Sequence, residues 1–172
     1  DAFTADGQLW GNPLYRWDVM ARDGYQWWLD RIRASLELFD AVRIDHFRGF
    51  ESYYAIPYGE VTARNGKWVK GPGKGLIAAI KQSFPNVQII AEDLGFLTQE
   101  VKELLSYSGF PGMKIIQFAF DSREKSDYIP FKYSRNCVVY TGTHDNETTL
   151  GWIESVSAES LQYAKSYLMC ED

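Results

Sequence analysis

The chain has 172 residues, of which 45% are apolar and 24% charged, and its formal net charge is −5. This composition is typical of a globular protein that is long enough to bury a core. The acidic balance and the absence of a clustered basic patch argue against nucleic acid as a ligand. The sequence contains neither an apolar run long enough for a membrane span nor the pattern of a signal peptide at its start. We therefore expect a cytoplasmic protein, with its two cysteines as reduced thiols.

Apolar residues recur at steps of three and four between Tyr25 and Phe39, which predicts an amphipathic helix. Runs rich in Val, Ile and Phe then predict strands at residues 41–44, 87–91, 114–120 and 137–141. Further helices are predicted at 76–84, at 101–105 with Thr98 as N-cap, and from Ser157 onward. Residues 59–75 are predicted to form a loop between a strand and a helix.

Alternating strands and helices predict an α/β fold with a parallel sheet, either open or closed into a barrel. The predicted strands are mostly continuous apolar runs, as in sheets that helices cover on both faces. We favour the barrel because acidic residues follow three of the strands. A (β/α)8 TIM barrel typically needs about 250 residues, so residues 1–172 are expected to form part of a single catalytic TIM-barrel domain.

The three acidic positions are Asp45, Glu92 and Asp145, each just beyond an apolar run. Carboxylates that meet in one pocket suit the chemistry of the glycosidic bond, in which one attacks the sugar and another moves a proton. Arg43 lies two residues before Asp45, so both side chains project from one face of the strand and the guanidinium favours the ionised carboxylate. An ionised Asp45 can act as a nucleophile. The alternative is an ion pair with a purely structural role.

Glu92 is the candidate general acid, because partial burial and a nearby negative charge would favour its protonated form. Its alternative role is to cap a helix or to lie solvated in a loop. Asp145 follows Gly142, which permits a sharp exit from the strand, and its carboxylate would accept hydrogen bonds from sugar hydroxyls.

Two other kinds of site are disfavoured by spacing. The only histidines, His46 and His144, each adjoin a candidate acid but lack the short His spacing of a metal site, and neighbouring strand residues point to opposite faces. The glycine-rich residues 71–75 lack the Ser or Thr that follows lysine in a phosphate-binding loop, so a turn before a helix is predicted.

Most of the aromatic residues are expected to lie in the core. Trp10 is an exception, because it lies in a loop-like stretch with little core to join.

Several long motifs, in the correct order, resemble the 4-alpha-glucanotransferase family, also called amylomaltases or disproportionating enzymes. They are GQLWGNPLY at 7–15, RIDHFRGF at 43–50, GPGKG at 71–75, IIAEDLG at 89–95, GFPGM at 109–113 and YTGTHDNETTLGW at 140–152. The resemblance spans essentially the whole chain. Since members of this family carry a complete barrel, it implies that the chain is an internal part of a longer enzyme.

The resemblance implies a retaining transfer of alpha-1,4-glucan segments from a malto-oligosaccharide or starch-type donor to a sugar acceptor, without a cofactor or metal. It implies that Asp45 is the nucleophile, Glu92 the acid/base and Asp145 the stabiliser of the transition state. The substrate-binding residues that it implies are Arg43, His46, Asp93 and His144 near the cleaved bond, Gln8 and Trp10 in a lid on the acceptor side, and Asp121 on the donor side. The alternatives are an alpha-amylase-type hydrolase and an inactive glucan-binding chain.

Overall fold

The computed structural model describes residues 5–95, 97–123 and 126–170. Within these ranges the helices are α1 (Trp17–Met20), α2 (Gln26–Leu36), α3 (Gly73–Ser83), α4 (Gln99–Ser108), α5 (Thr149–Ser155) and α6 (Ala158–Leu168). The strands are β1 (Ala41–Ile44), β2 (Ser52–Ala55), β3 (Lys67–Lys70), β4 (Gln88–Ala91), β5 (Gly112–Ile115) and β6 (Cys137–Tyr140). Short 3-10 turns occur at Ala21–Asp23, Phe47–Phe50, Ile116–Ala119 and Pro130–Lys132.

The strands form three pairs within the described ranges. Strands β1 and β4 are parallel, with Ala41 opposite Gln88 and Ile44 opposite Ala91. Strands β5 and β6 are also parallel, whereas β2 and β3 form an antiparallel pair. The two parallel pairs, together with helices that alternate with strands along much of the chain, confirm the predicted α/β fold.

The chain divides into two compact units, the first ending at Phe110 and the second beginning at Pro111. The core of the first unit lies between α2, α3 and the β1–β4 pair. Leu76, Ile77 and Ile80 share one face of α3, and their side chains are completely buried in this core. Phe47 and Phe50, from the turn after β1, fill the same core.

The core of the second unit is smaller. Phe120 packs there with Ala119, Ile129 and Ala164, and the partly buried rings of Trp152 and Tyr167 lie against them. Met113 and Ile115, on β5, are completely buried as well. In this unit the last helix therefore packs against a small cluster that is rich in aromatic side chains.

Two predicted boundaries are wrong, and both have a physical cause. The predicted strand at 114–120 stops at Ile115, where a 3-10 turn begins that carries Ala119 and Phe120 into the core. The predicted loop at 59–75 contains β3, whose Trp68 lies opposite Tyr54 of β2 with ring centroids 5.4 Å apart. Such cross-strand aromatic pairs stabilise a hairpin that has one face in solvent.

The other elements lie close to their predicted places. Strands β1, β4 and β6 and helices α3, α4 and α6 are confirmed, with Thr98 and Ser157 at the N-caps of the last two helices. Glycines 71–75 do form a turn that leads into a helix, since α3 begins at Gly73. The short helices α1 and α5 were not predicted. Both cysteines are free thiols, and none of the described helices has the length and apolar character needed to cross a bilayer.

Candidate active site

The exit of β1 carries the first group of candidate residues. Arg43 is the third residue of that strand and Asp45 follows its last residue. The Arg43 Nη2 to Asp45 Oδ1 distance is 2.7 Å, which is the ion pair that the spacing predicts. The side chain of Asp45 is 72% exposed and that of Arg43 only 28%. A mostly buried guanidinium therefore holds an exposed carboxylate through a charge-assisted hydrogen bond.

The backbone turns sharply after Asp45. His46 adopts the left-handed conformation, with φ of 48°, which is uncommon for a residue other than glycine. Beyond it, the N–H of Phe47 donates to the carbonyl of Glu92 at 3.0 Å, while the N–H of Glu92 donates to the carbonyl of Ile44 at 2.9 Å. Hydrogen bonding between the two chain segments therefore continues past the strands, and Asp45 lies between these bonds.

Glu92 follows β4 directly, and both of its carboxylate oxygens accept hydrogen bonds from the backbone. Oε2 accepts from the N–H of His46 at 2.7 Å, and Oε1 accepts from the N–H of Leu94 at 2.8 Å. Backbone donors hold a carboxylate without the rotamer freedom of a side-chain partner. The first bond also brings the Glu92 carboxylate against the peptide that follows Asp45. Since α4 begins only at Gln99, the alternative role of Glu92 as a helix cap is not supported.

Asp93, the next residue, is 5% exposed. Its carboxylate therefore lies inside the first unit, and its contact with sugar stays a prediction.

A cleft of about 610 Å³ opens beside β1 and includes Arg43, Asp45 and His46 in its walls. This volume lies within the range of ligand sites. Five aromatic residues also line the cleft: Tyr15, Trp17, Trp28, Phe50 and Tyr53. Trp28 packs against the core and also lines the cleft.

Gln8 and Trp10 lie on an exposed segment near the start of the chain. The indole N–H of Trp10 donates to Gln8 Oε1 at 2.9 Å, and Trp10 is 77% exposed, as its sequence context predicts. Gly7, with φ of 71°, lies close to Ala63, since a Cβ there would lie 2.8 Å from that of Ala63. The N–H of Ala63 donates to the carbonyl of Asp6 at 3.1 Å, so the base of the segment is held while the ring of Trp10 is exposed.

The second unit carries the remaining candidates. His144 and Asp145 lie in the loop between β6 and α5, with His144 Nε2 3.4 Å from Asp145 Oδ2 and both side chains 74% exposed. Asp121 follows the buried Phe120, and its two carboxylate oxygens accept from the guanidinium of Arg123 at 2.8 and 2.6 Å. The Arg123 side chain, aided by its backbone N–H, lowers the pKa of Asp121 to about 2.

The structure thus brings Arg43, Asp45, His46 and Glu92 together at the exits of the paired strands β1 and β4, and it places Asp121, His144 and Asp145 in the second unit. The meeting of all three acids in one pocket stays a prediction. In the described ranges, no three His, Cys, Asp or Glu residues are grouped so as to hold a metal ion. Sequence reasoning missed the partners of the Asp145 loop, namely Gln117, Thr143 and Asn146, although the Thr-x-x-Asn spacing is a known turn signal.

The parallel strand pairs and the helices packed around them place the chain in the α/β class of proteins. The chain belongs to the 4-alpha-glucanotransferase family, whose family model matches residues 1–172. This confirms the resemblance that the motifs carry.

Individual relatives agree with the family. A 4-alpha-glucanotransferase of Clostridium butyricum is 54% identical over 168 residues, covering 97% of this chain and 34% of that protein. One of Streptococcus pneumoniae is 58% identical over 152 residues, covering 88% and 30%. The solved amylomaltase of Streptococcus agalactiae, in complex with acarbose, superposes with a TM-score of 0.92 at 43% identity, covering 99% of this chain and 35% of that one. The chain therefore spans about a third of the length of these relatives.

Proposed function

We propose that the full-length protein containing this chain transfers alpha-1,4-glucan segments from one malto-oligosaccharide to the 4-hydroxyl of another by a retaining double displacement. The observation that carries the proposal is the arrangement at the exits of β1 and β4. There the Glu92 carboxylate is bonded to the peptide after Asp45, and Arg43 is paired with Asp45. Two carboxyl groups in neighbouring positions are what a retaining mechanism requires, with an expected separation of about 5 to 5.5 Å.

In the first step, an oxygen of Asp45 attacks the anomeric carbon of the donor and the glycosidic bond breaks. Glu92 gives its proton to the leaving oxygen, which departs as the free 4-hydroxyl of the released sugar. Both oxygens of Glu92 accept backbone hydrogen bonds, so the proton would occupy a remaining lone pair of one of them. The product of this step is a glycosyl ester of Asp45.

In the second step, Glu92 takes the proton of the acceptor's 4-hydroxyl. The acceptor oxygen then attacks the anomeric carbon, the ester bond to Asp45 breaks, and both carboxyl groups return to their starting states. Asp145 would stabilise the positive charge that develops on the sugar ring in both steps. Transfer exceeds hydrolysis only if the acceptor binds well and water is excluded, a role that we assign to the Gln8 and Trp10 segment.

The remaining substrate contacts are assigned to Arg43, His46, Asp93, Asp121 and His144. The aromatic walls of the cleft beside Asp45 support a sugar ligand, because the apolar faces of pyranose rings stack on aromatic side chains. The amylomaltase of Streptococcus agalactiae was solved in complex with acarbose, and we expect the full-length protein to bind acarbose as well. The chemistry proposed here needs no metal or cofactor.

We further propose that residues 1–172 belong to one TIM-barrel domain of a cytoplasmic enzyme. In the part of the chain that is described, each parallel sheet has two strands, and a closed barrel would supply partners for their open edges. The family membership supports this domain assignment.

Incubation of the full-length protein with maltotriose tests the function. Transfer yields glucose together with chains longer than maltotriose, whereas a hydrolase of the alpha-amylase type yields only shorter sugars. The variant Asp45→Asn should abolish both products, because the amide is not a nucleophile. Asp40→Asn, an exposed acid before β1, is the matched control and should retain full activity. Unchanged activity of a folded Asp45→Asn variant would overturn the proposal.

A further inference from the structure

In the loop between β6 and α5, Asp145 is surrounded by hydrogen-bonding side chains that have no role in the proposed reaction steps. Since the Asp145 side chain is 74% exposed, packing does little to fix its carboxylate. Apart from its contact with His144 Nε2 at 3.4 Å, the position of the carboxylate therefore depends on the path of its own backbone. That path is set by hydrogen bonds from Thr143, Asn146 and Gln117.

Thr143 and Asn146 form a closed turn around Asp145. The Oδ1 of Asn146 accepts from the N–H of Thr143 at 2.9 Å and from its hydroxyl at 3.0 Å. The N–H of Asn146 donates to the carbonyl of Thr143 at 3.0 Å. The hydroxyl of Thr143 also accepts from the N–H of Asp145 at 3.3 Å. One hydroxyl thus joins the side chain of Asn146 to the backbone of Asp145.

Gln117 holds the two ends of the same loop. Its backbone N–H donates to the carbonyl of Thr141 at 3.2 Å, and its side-chain amide donates to the carbonyl of Glu147 at 3.0 Å. Gly142 lies against this amide, since a Cβ at that position would be 3.0 Å from Gln117 Oε1. The entry and the exit of the loop are therefore tied to one residue after β5, the entry to its backbone and the exit to its side chain.

We propose that Thr143 is a positioning residue for Asp145, acting together with Asn146 and Gln117. The inference rests on the proposed function, in which Asp145 stabilises the charged transition state. Thr143 does not touch the sugar in this role. Its hydroxyl restricts the Asp145 backbone to one conformation. In that conformation the carboxylate already faces the position of the charged sugar ring, so that the site does not reorganise during the reaction.

The kinetic consequence is specific. An interaction that is made fully only in the transition state affects kcat, while the affinity for the ground state is preserved. Loss of alignment at a reacting centre costs up to about a hundredfold in rate. We therefore expect loosening of the loop to lower kcat by about tenfold to a hundredfold and to leave KM within about twofold.

The experiment compares Thr143→Val with Thr143→Ser in the full-length protein. Valine keeps the shape of threonine and removes the hydroxyl, whereas serine keeps the hydroxyl and removes a methyl group. We expect Thr143→Val to lose kcat by about the factor above and Thr143→Ser to stay within about threefold of the parent. Trapping with a fluorinated glycosyl donor counts the competent sites, so that kcat is expressed per folded active site.

The variant Asp145→Asn distinguishes failure of the proposed role of Asp145 from failure of the positioning role of Thr143. If a folded Asp145→Asn variant keeps full activity, the proposed role of Asp145 fails and this inference fails with it. If Asp145→Asn is inactive while Thr143→Val matches Thr143→Ser in kcat per active site, the positioning role alone is wrong. A variant of Thr143 that does not fold is replaced by the pair Asn146→Ala and Asn146→Asp, of which only the second keeps an acceptor oxygen. Equal kcat in that pair would likewise overturn the inference.

Discussion

Glu92 and Asp145 are held in place by different means, although both lie beyond the end of a parallel strand. Glu92 accepts hydrogen bonds from the peptide groups of His46 and Leu94. The loop of Asp145 is fixed by the side chains of Thr143 and Asn146. The first arrangement depends on the path of the backbone, and hence on the core beneath it. The second depends on individual polar side chains. The Glu92 region should therefore be sensitive to changes in the core, and the Asp145 loop to the loss of single polar groups.

Phe47→Ala is the strongest test of the first region. Phe47 is completely buried, packs against Phe50 at a ring distance of 5.8 Å, and donates its backbone N–H to the carbonyl of Glu92. Removing a buried ring of this size costs about 3–5 kcal/mol because of lost transfer energy and the cavity that remains. We expect a loss of that size in the free energy of unfolding, measured by urea denaturation of the full-length protein.

The control for this experiment is Phe39→Ala, since Phe39 is 63% exposed in the same unit. Its effect should remain within about 0.5 kcal/mol, as for surface substitutions in general. Equal losses for the two variants would show that the turn after β1 is not supported by its core. The view that backbone and core hold Glu92 would then be wrong.

The same contrast explains how much of the fold the sequence predicts. Helix α3 is predicted well because its apolar residues repeat with the period of a helix and share one buried face, and strands β1 and β4 because each contains a short run of apolar residues. Strand β3 was missed because Lys67 and Lys70 enclose only two apolar residues, and the strand is stabilised by its cross-strand partner. Tertiary contacts that are distant in sequence leave no local periodicity.

The candidate site shows a similar division. Asp45 and Arg43 were predicted to pair because their spacing of two places them on one face of a strand, and the ion pair is present. The bonds from His46 and Leu94 to Glu92 were not predicted, since backbone donors carry no residue signature. The anchoring of the Asp145 loop by Gln117 joins residues 30 positions apart, which no local motif reveals.

The conformation of His46 offers a sharper test of how the backbone between Asp45 and Glu92 is held. Its φ of 48° is strained for any residue with a Cβ, at a cost of about 1–2 kcal/mol, whereas glycine adopts it freely. His46→Gly and His46→Ala both remove the imidazole and keep the N–H that binds Glu92. We expect the glycine variant to be more stable than the alanine variant by about 1 kcal/mol, measured as the difference in unfolding free energy.

Ser35, in the regular helix α2, supplies the opposite control. Ser35→Gly should be less stable than Ser35→Ala by about 1 kcal/mol, because glycine is unfavourable inside a helix. If glycine were the less stable choice at both positions, the left-handed turn would not be a source of strain. The backbone path from Asp45 to Glu92 would then need another explanation.

Asp121 provides the smallest expected effect and extends the comparison to a second side-chain-held acid. The guanidinium of Arg123, aided by its backbone N–H, lowers the pKa of Asp121 to about 2 in the folded protein. An unperturbed Asp has a pKa of about 3.9. Because the folded pKa is the lower one, the stabilisation from this pair is present above about pH 4 and is lost as the pH falls toward about 2. Its size is small, since the pair is in contact with solvent.

The protonation of Asp121 can be followed by carboxyl-carbon NMR between pH 6 and pH 3, with Asp121→Asn used to identify its signal. In the parent protein the signal should stay that of a carboxylate down to pH 3. In Arg123→Gln, which removes the guanidinium but keeps the backbone N–H, the midpoint should move toward about 3.9. Arg135→Gln, another exposed arginine of the second unit, should leave the midpoint unchanged. Identical titrations in the parent and Arg123→Gln would mean that the backbone N–H alone holds Asp121, as backbone donors hold Glu92, and the contrast between the two regions would not extend to this residue.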